Sequence, residues 1–358
     1  MKIFSRYICR EFFKLFLICM IIFLSIYLVV DFFEKIDNFL SVNLGKLIIF
    51  KYFLFKIPFI ITQMIPVAVL ISVIILFCQM KKGNEITAIK ASGIYLLKSF
   101  SYIFFIGAFM SILMFALSET IVPILSQKSN EIWAEKVENR GNTFFHESNH
   151  IWYKSKNAIY WIRHFDRKTN TLYEPTFYFF DNNFHLIRRV DGQRGFWNGS
   201  SWIIENGIMQ ERNDAGGYDS KEFKHLYLEI PEKPDTFRRN TLRPEDMSFS
   251  QMKKFALKVK EEGYDNTRYL VEVNLKIAFP FICFVFTLIG IPVSLLVKKG
   301  GIPLAVTIGI GLCFAYMILL GFSRTVGISG ALPPVLSVWL PNIILFFIGS
   351  AFIMQIEV

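Results

Sequence analysis

One short segment has the residue types and spacing of a zinc hydrolase site. His146 and His150 stand four residues apart, and Glu147 follows the first of them. On a helix, this spacing would bring both imidazoles to one metal ion. The flanking residues 143–145 and 151–153 are aromatic and apolar residues typical of strands. Side chains four residues apart on a strand are separated by about 13 Å. We therefore predict no metal site here.

Other catalytic patterns are missing from the sequence. No glycine-rich phosphate loop ending in Gly-Lys-Ser or Gly-Lys-Thr occurs, and no Ser-His-Asp or paired-carboxylate set stands out. The cysteines lie in or beside apolar runs, at spacings that suit neither zinc nor a disulfide framework: Cys9, Cys19, Cys78, Cys283 and Cys313. We predict no catalytic residue, no metal and no cofactor, so any ATP hydrolysis would need a partner chain.

The loop after the second apolar run has the features of a short helix. Asn84 is a favourable N-cap, and Glu85 suits the positive end of a helix. Gly93 supplies a C-terminal stop. Ala88 and Ala91 leave one face shallow, so that another protein could approach closely. The segment fits either an ordinary interfacial loop helix or a helix that inserts into a groove of a partner.

The elements that position this loop are apolar helices. The chain is 53% hydrophobic and contains 39 Phe, and its apolar residues gather into six runs of roughly twenty residues. A helix of that length crosses a hydrocarbon core of about 30 Å. The predicted spans are 12–33, 57–80, 99–122, 277–297, 302–322 and 335–356. Gly309, Gly311 and Gly321 predict close helix packing in the fifth span.

Basic residues beside the spans predict the orientation. One side carries ten of them: Lys2, Arg6, Arg10, Lys14, Lys81, Lys82, Lys90, Lys98, Lys298 and Lys299. The other side carries five: Lys35, Lys46, Lys51, Lys56 and Arg324. We predict a multi-pass protein of the inner membrane with both termini in the cytoplasm. Residues 123–271 are nearly neutral, with 23 Lys+Arg and 21 Asp+Glu, so nothing predicts nucleic-acid binding.

Residues 123–271 read as a cysteine-free domain inserted between the third and fourth spans. From about 142 to 237, short aromatic runs alternate with turn sequences, which indicates an all-β, jelly-roll-like domain in the periplasm. A helix over about 249–262, with Ser248 and Gln251 as a capping box, is expected to pack on this domain. The predicted domains are 1–122 with the first three spans, 123–271 and 272–358 with the last three.

Three features together resemble the permease subunits of the lipopolysaccharide-export ABC transporter. The first two are Arg6-Tyr7-Ile8 and Glu85 followed by Ala91-Ser92-Gly93. The third is the layout of three spans, a β-domain and three spans, which re-enters the membrane through Gly263-Tyr264-Asp265, Tyr269 and Lys276-Ile277-Ala278-Phe279-Pro280. The resemblance covers essentially the whole chain. The stretches 290–296, 332–334 and 339–342 are more similar to the LptG type than to its LptF sister.

The resemblance implies a mechanism and partners. Two sister permeases would sit over a dimer of a cytoplasmic ATPase and take lipopolysaccharide from the outer leaflet of the inner membrane. The β-domain would pass the lipid to a periplasmic bridge protein. The loop helix at 84–93 would be the coupling helix, with Glu85, Ala88, Ala91 and Gly93 at the ATPase. The first and fifth spans would form lateral gates.

Relatives place basic residues at the outer end of the first span, where they meet lipid phosphates. This chain has Lys35 there, beside three acidic residues, which puts that role in question. Lys46, Lys51 and Lys128 are further candidates, and ordinary interfacial charges are the alternative for each. Two other functions stay open. One is a membrane-anchored envelope hydrolase that uses His146 and His150, and the other is a structural or sensory subunit whose β-domain binds periplasmic proteins.

Overall fold

A computed structural model describes most of the chain. The described residues are 2–42, 44–93, 96–137, 151–155, 158–166, 169–181, 184–213, 216–234, 237, 246–261, 265–297 and 301–357. They divide into two compact units. The first comprises residues 1–138, 244–259 and 265–358, and the second comprises 139–243 and 260–264.

The first unit is helical and is called the membrane unit below. Its helices are α1 (Lys2–Ser41), α2 (Lys46–Lys82), α3 (Glu85–Ala91), α4 (Leu96–Ile132), α5 (Phe249–Glu261), α6 (Thr267–Leu296), α7 (Gly301–Ile328) and α8 (Pro334–Glu357). A π-helical turn, Trp133–Val137, continues α4. All but α3 and α5 are long and apolar enough to cross a membrane, which confirms the six predicted spans. Each helix extends past its apolar run because its polar ends continue beyond the hydrocarbon core.

The centre of the membrane unit is formed by α2 and α6. In the most apolar window of each of these two helices, 67% of the residues are buried, against 22% for α1 and 28% for α7. Gly290 of α6 lies directly against α2, since a Cβ added there would be 2.8 Å from Cγ1 of Val73. Small residues allow helix backbones to approach closely in this way. The other spans pack around this central pair.

The second unit contains a β-sheet. Its strands are β1 (Ile151–Lys154), β2 (Ala158–Asp166), β3 (Thr171–Phe180), β4 (Leu186–Trp197), β5 (Trp202–Arg212) and β6 (Tyr218–Leu228). They form one antiparallel sheet in the order β1-β2-β3-β4-β5-β6. The all-β prediction is confirmed. The described strands are joined as a meander, however, whereas a jelly roll requires long connections that cross between two sheets.

The core of the β-domain is organised around one buried acidic residue. Tyr160 donates its hydroxyl proton to Glu232 Oε2 at 2.8 Å, and Ser155 donates to Oε1 at 2.6 Å. The indole of Trp202 donates to the Glu232 carbonyl oxygen at 2.9 Å. Burial and the Glu232 carboxylate raise the pKa of Tyr160 above its usual range. The Tyr160 and Trp202 side chains are thus both paired with Glu232 inside the sheet's core.

Helix α5 has the predicted start but a different packing surface. Gln251 Oε1 accepts from the Ser248 N–H at 3.0 Å, and the Gln251 N–H donates to Ser248 Oγ at 3.2 Å, which confirms the capping box. Its buried Met252 and Ala256, however, pack against Val273 of α6. The expected packing on the β-domain is therefore corrected. The apolar stripe of a helix shows which face is buried but not which neighbour covers it.

Candidate functional site

The short helix α3 follows α2 after a sharp turn. The N–H of Gly83 donates to the Gln79 carbonyl oxygen at 2.9 Å and ends α2. Asn84 then adopts a left-handed conformation with φ of 59°, which Asn tolerates better than most residues. Its carbonyl oxygen accepts the N–H of Ala88 at 3.0 Å as the first bond of α3. Gly93, with φ of 71°, follows the helix end.

One face of α3 is buried and the other is open. Ile86 is 7% exposed and lies in the core formed by α1, α2 and α4, with Ile89 packed against the same core. Thr87, Ala88 and Ala91 are exposed. These three small side chains are called the α3 face below. Since the buried isoleucines hold the rotation of the helix, the α3 face points away from the chain as a shallow surface.

Glu85 connects α3 to the start of α1. The hydroxyl of Tyr7 donates to Glu85 Oε1 at 3.1 Å, and Glu85 is half-buried. Both residues belong to the motifs quoted above, but the sequence did not show that they meet. Glu85 therefore holds α3 in place in addition to any contact it makes with a partner.

A lysine at the end of α2 binds the end of α6. Lys81 Nζ donates to the carbonyl oxygens of Leu295 at 2.6 Å and Val297 at 2.9 Å. These carbonyls end α6, where a positive charge also complements the helix dipole. Because Lys81 lies directly before the turn into α3, this contact joins the α3 region to the central helix pair. From the sequence alone, Lys81 is only one of the basic residues that predict the orientation of the chain in the membrane.

A charged and aromatic cluster lies at the opposite end of α1 and α2. Asp31 is 5% exposed and accepts hydrogen bonds from Lys35 at 2.6 Å and from Lys56 at 2.8 Å. Lys35 Nζ also lies 5.5 Å from the ring centroids of Tyr52 and Trp133, within range of cation–π attraction. One buried carboxylate thus accepts hydrogen bonds from two lysine side chains. Lys56 was not among the predicted lipid contacts. Its pairing with Asp31 could not be predicted from the sequence, because the two residues lie on different helices.

The other candidate lysines are more open. Lys46 and Lys51 of α2 and Lys128 of α4 are exposed, and Lys128 Nζ lies 5.8 Å from the ring centroid of Phe55. Lys35 is therefore the only one of the four candidates that the structure places in the Asp31 cluster. The other three are surface charges on α2 and α4.

Polar contacts also join α6, α7 and α8. Glu272 is buried and accepts from Arg324 Nε at 2.8 Å, with a second contact from the same guanidinium. The Ser323 hydroxyl donates to the Ser337 carbonyl oxygen. Asn342 Nδ2 donates to the carbonyl oxygen of Ala278 at 2.6 Å. In an apolar environment such contacts replace the water that these groups would otherwise bind.

Large apolar side chains are exposed on several spans, among them α1, α4, α7 and α8. Those on α1 include Ile21, Val30 and Phe33, and those on α7 include Ile318 and Phe322. Exposed apolar surface of this extent is typical of a surface that meets lipid or another protein. The resemblance implies a gating role for two of these helices, α1 and α7.

The zinc-like segment from His146 to His150 lies outside the described residues. Within the described ranges, no group of three or more His, Cys, Asp or Glu side chains is arranged to hold a metal ion. All five cysteines are free, and all except Cys9 are buried.

Comparison with known proteins places the chain in a family. Residues 6–355 match the family described as lipopolysaccharide export system permease LptF/LptG. A comparison with curated proteins found no match. The family match covers every span, the β-domain and the α3 region, and it agrees with the architecture described above. This chain therefore belongs to the LptF/LptG family of lipopolysaccharide export permeases.

Proposed function

We propose that this chain is the LptG-type permease subunit of an ABC transporter in the inner membrane. It pairs with an LptF-type sister and takes lipopolysaccharide from the outer leaflet. Its β-domain passes the lipid to a periplasmic bridge protein, and a dimer of a separate cytoplasmic ATPase supplies the energy. The single observation that carries this proposal is the α3 face, which is open, shallow and held by buried contacts of the membrane unit.

The α3 face is suited to receive mechanical work from a partner. Ile86 and Ile89 fix the helix to the core of α1, α2 and α4, and Tyr7 ties its first residue to α1. Lys81 joins the adjoining turn to the end of α6. A push on α3 would thus reach both halves of the membrane unit through packed and hydrogen-bonded contacts. A loosely attached loop could not transmit a displacement in this way.

The apolar faces of α1 and α7 support a role in handling lipid. We assign them as the surfaces that line the route of the acyl chains, next to the sister permease. The Asp31 cluster, in which two lysines share one carboxylate, is assigned as a contact for lipid phosphate, with Lys46, Lys51 and Lys128 as further contacts. The phosphate assignment requires the Asp31 cluster to lie on the periplasmic side of the membrane, which is the side that the distribution of basic residues predicts for it.

The test of the proposed coupling uses the α3 face. We expect Ala88→Trp and Ala91→Trp to weaken co-purification of the ATPase by about 10- to 100-fold in affinity, since overpacking an interface costs about 1–3 kcal/mol. Lipopolysaccharide-stimulated ATP hydrolysis by the complex should fall together with the affinity for the ATPase. Ala351→Trp is the matched control, because Ala351 is an exposed helical alanine near the other end of the chain. Unchanged binding and hydrolysis in both α3 variants would refute the proposal.

A second comparison separates two roles of Glu85. Glu85→Ala removes both the carboxylate and its bond to Tyr7, whereas Tyr7→Phe removes only the bond. If Glu85 contacts the ATPase, Glu85→Ala lowers co-purification much more than Tyr7→Phe does. Equal losses in the two variants would mean that Glu85 acts only by holding α3 against α1.

A further inference from the structure

Helix α5 differs in character from every span. It runs for 13 residues and is amphipathic, with a polar face rich in lysine. Its charged residues are Lys253, Lys254, Lys258, Lys260 and Glu261. A short helix with one apolar face and one basic face is typical of segments that lie in the plane of a membrane surface. Helix α5 is held against α4 and α6 of the membrane unit.

The contacts of α5 fix its depth along α4. The ring of Phe249 packs against Phe115 with centroids 6.2 Å apart, and the Phe249 N–H donates to Glu119 Oε2 at 2.6 Å. Glu119 lies in the last turn of the apolar run 99–122 of α4. Helix α5 therefore docks near the end of that run, where a span of this length meets the headgroup region.

The buried side of α5 prevents the helix from turning. Met252 and Ala256 are buried in a cluster with Val273 of α6. Phe255 packs edge-to-face on Tyr269 of α6, with ring centroids 5.0 Å apart. Because these contacts occupy the apolar stripe, the rotation of α5 about its axis is set. Its opposite face is presented outward.

The outward face combines lysine with one large apolar side chain. Lys253 and Leu257 lie one turn apart on this face, and Lys254 is exposed next to Lys253. Leu257 is 51% exposed. A lysine stem can lie along apolar surface while its ammonium group reaches polar surroundings. A leucine beside two lysines on one open face suits the zone where acyl chains meet phosphates.

We propose that α5 lies in the membrane–water interface and binds the phosphate groups of anionic bilayer lipids through Lys253 and Lys254. Leu257 enters the edge of the acyl region. The ligand follows from charge complementarity, since the face carries ammonium groups at the depth where lipid phosphates lie. In this position α5 anchors the return of the chain from the β-domain into α6. The proposal rests on the membrane-spanning assignment and does not require the ATPase partnership.

Lipid binding is tested on the full chain purified in detergent. Phosphatidylglycerol or phosphatidylcholine is titrated in, and the retained lipid is measured by native mass spectrometry. We expect Lys253→Gln with Lys254→Gln to weaken phosphatidylglycerol retention roughly 25-fold at low salt, since each basic residue near an anionic surface contributes about fivefold. Phosphatidylcholine retention should not change. The matched control is Lys221→Gln with Lys224→Gln, two exposed lysines of β6.

Depth is tested separately in nanodiscs that contain phosphatidylglycerol. A fluorophore on Leu257→Cys, in a Cys9→Ser background, should be quenched more by a spin label near the lipid headgroup than by one at mid-chain. The same fluorophore on Ile318→Cys of α7 should show the reverse order. Absence of quenching at position 257 would overturn the proposal. So would an equal loss of phosphatidylglycerol in the β6 control variant.

Discussion

The contact between α7 and α8 at Gly327 gives a sharp prediction about helix packing. A Cβ added to Gly327 would lie 2.2 Å from Ser337 Oγ, 2.6 Å from Ser337 Cβ and 3.2 Å from Val271 Cγ2. The hydroxyl can rotate away, but the Ser337 Cβ is fixed by its backbone. The substitution Gly327→Ala therefore forces the backbones of α7 and α8 apart.

The expected cost follows from these distances. Carbon atoms in contact normally lie about 3.5–4.0 Å apart, so the helices must separate by about 1 Å. Overpacking of this kind costs about 1–3 kcal/mol. The same movement stretches the nearby hydrogen bond from the Ser323 hydroxyl to the Ser337 carbonyl oxygen, which contributes about 1 kcal/mol. The lost stability is therefore on the order of 2–4 kcal/mol.

Two other glycines of α7 provide controls on the same helix. A Cβ at Gly311 or Gly321 would meet nothing within 4 Å. Gly→Ala there should be neutral or should stabilise the helix by about 0.5–1 kcal/mol. Thermal unfolding of the full chain in detergent should show Gly327→Ala about 4–8 °C below these controls, at roughly 2 °C per kcal/mol. Equal midpoints in all three variants would refute the reasoning.

Two further predictions concern polar contacts between helices, measured by the same thermal unfolding. Arg324→Ala should destabilise the chain more than Glu272→Gln, by up to about 3 kcal/mol, because it leaves the buried Glu272 charge unpaired while Arg324 can reach solvent. A larger effect of Glu272→Gln would contradict this account. Lys81→Met should cost about 1–3 kcal/mol, since the carbonyl oxygens at the end of α6 lose a charged donor. Lys82→Met, at the adjacent exposed position, should cost little, and equal losses would count against the proposed role of Lys81.

The spans and the β-domain could be predicted from the sequence because their signals are local. An apolar run such as 12–33 must form a helix in lipid, since every backbone N–H and C=O needs an internal partner there. The signal for the start of α5 is also local, because the side chains of Ser248 and Gln251 accept hydrogen bonds from each other's backbone N–H groups. Residues 84–93 likewise contain α3, whose ends follow from Asn84 and Gly93.

Predictions from the sequence were wrong where a contact depends on how one helix is rotated against its neighbour. Gly309, Gly311 and Gly321 were all predicted to allow close packing. Only Gly309 does so, since a Cβ there would lie 2.6 Å from Ile74 Cδ1. The tightest contact on this helix is at Gly327, which the sequence analysis did not single out. The rotation of α7 is set by α2 and α8, and no pattern within α7 contains that information.

Charged residues show the same difference between local and long-range information. Lys35 and Asp31 stand four residues apart on α1, so their pairing could be expected from helix geometry. The third member of the cluster, Lys56, lies on α2, and its bond to Asp31 depends on the packing of two helices. The same holds for Tyr7 and Glu85, which are 78 positions apart. Sequence spacing therefore found single members of each site but not the complete groups.

The distribution of burial among the spans connects the fold to lipid export. An even bundle would bury each span to a similar degree, but α2 and α6 are far more buried than α1 and α7. The side chains exposed on α1 and α7 are large and apolar, so both helices require an apolar environment that the described part of this chain does not supply. Only lipid or another membrane protein meets that requirement.

A helix with few contacts to its own chain can also move at lower cost than a central one. The two spans that the resemblance assigns to gating are thus the two that are least tied to the rest of the membrane unit. Their apolar surfaces are therefore suited to contact with acyl chains.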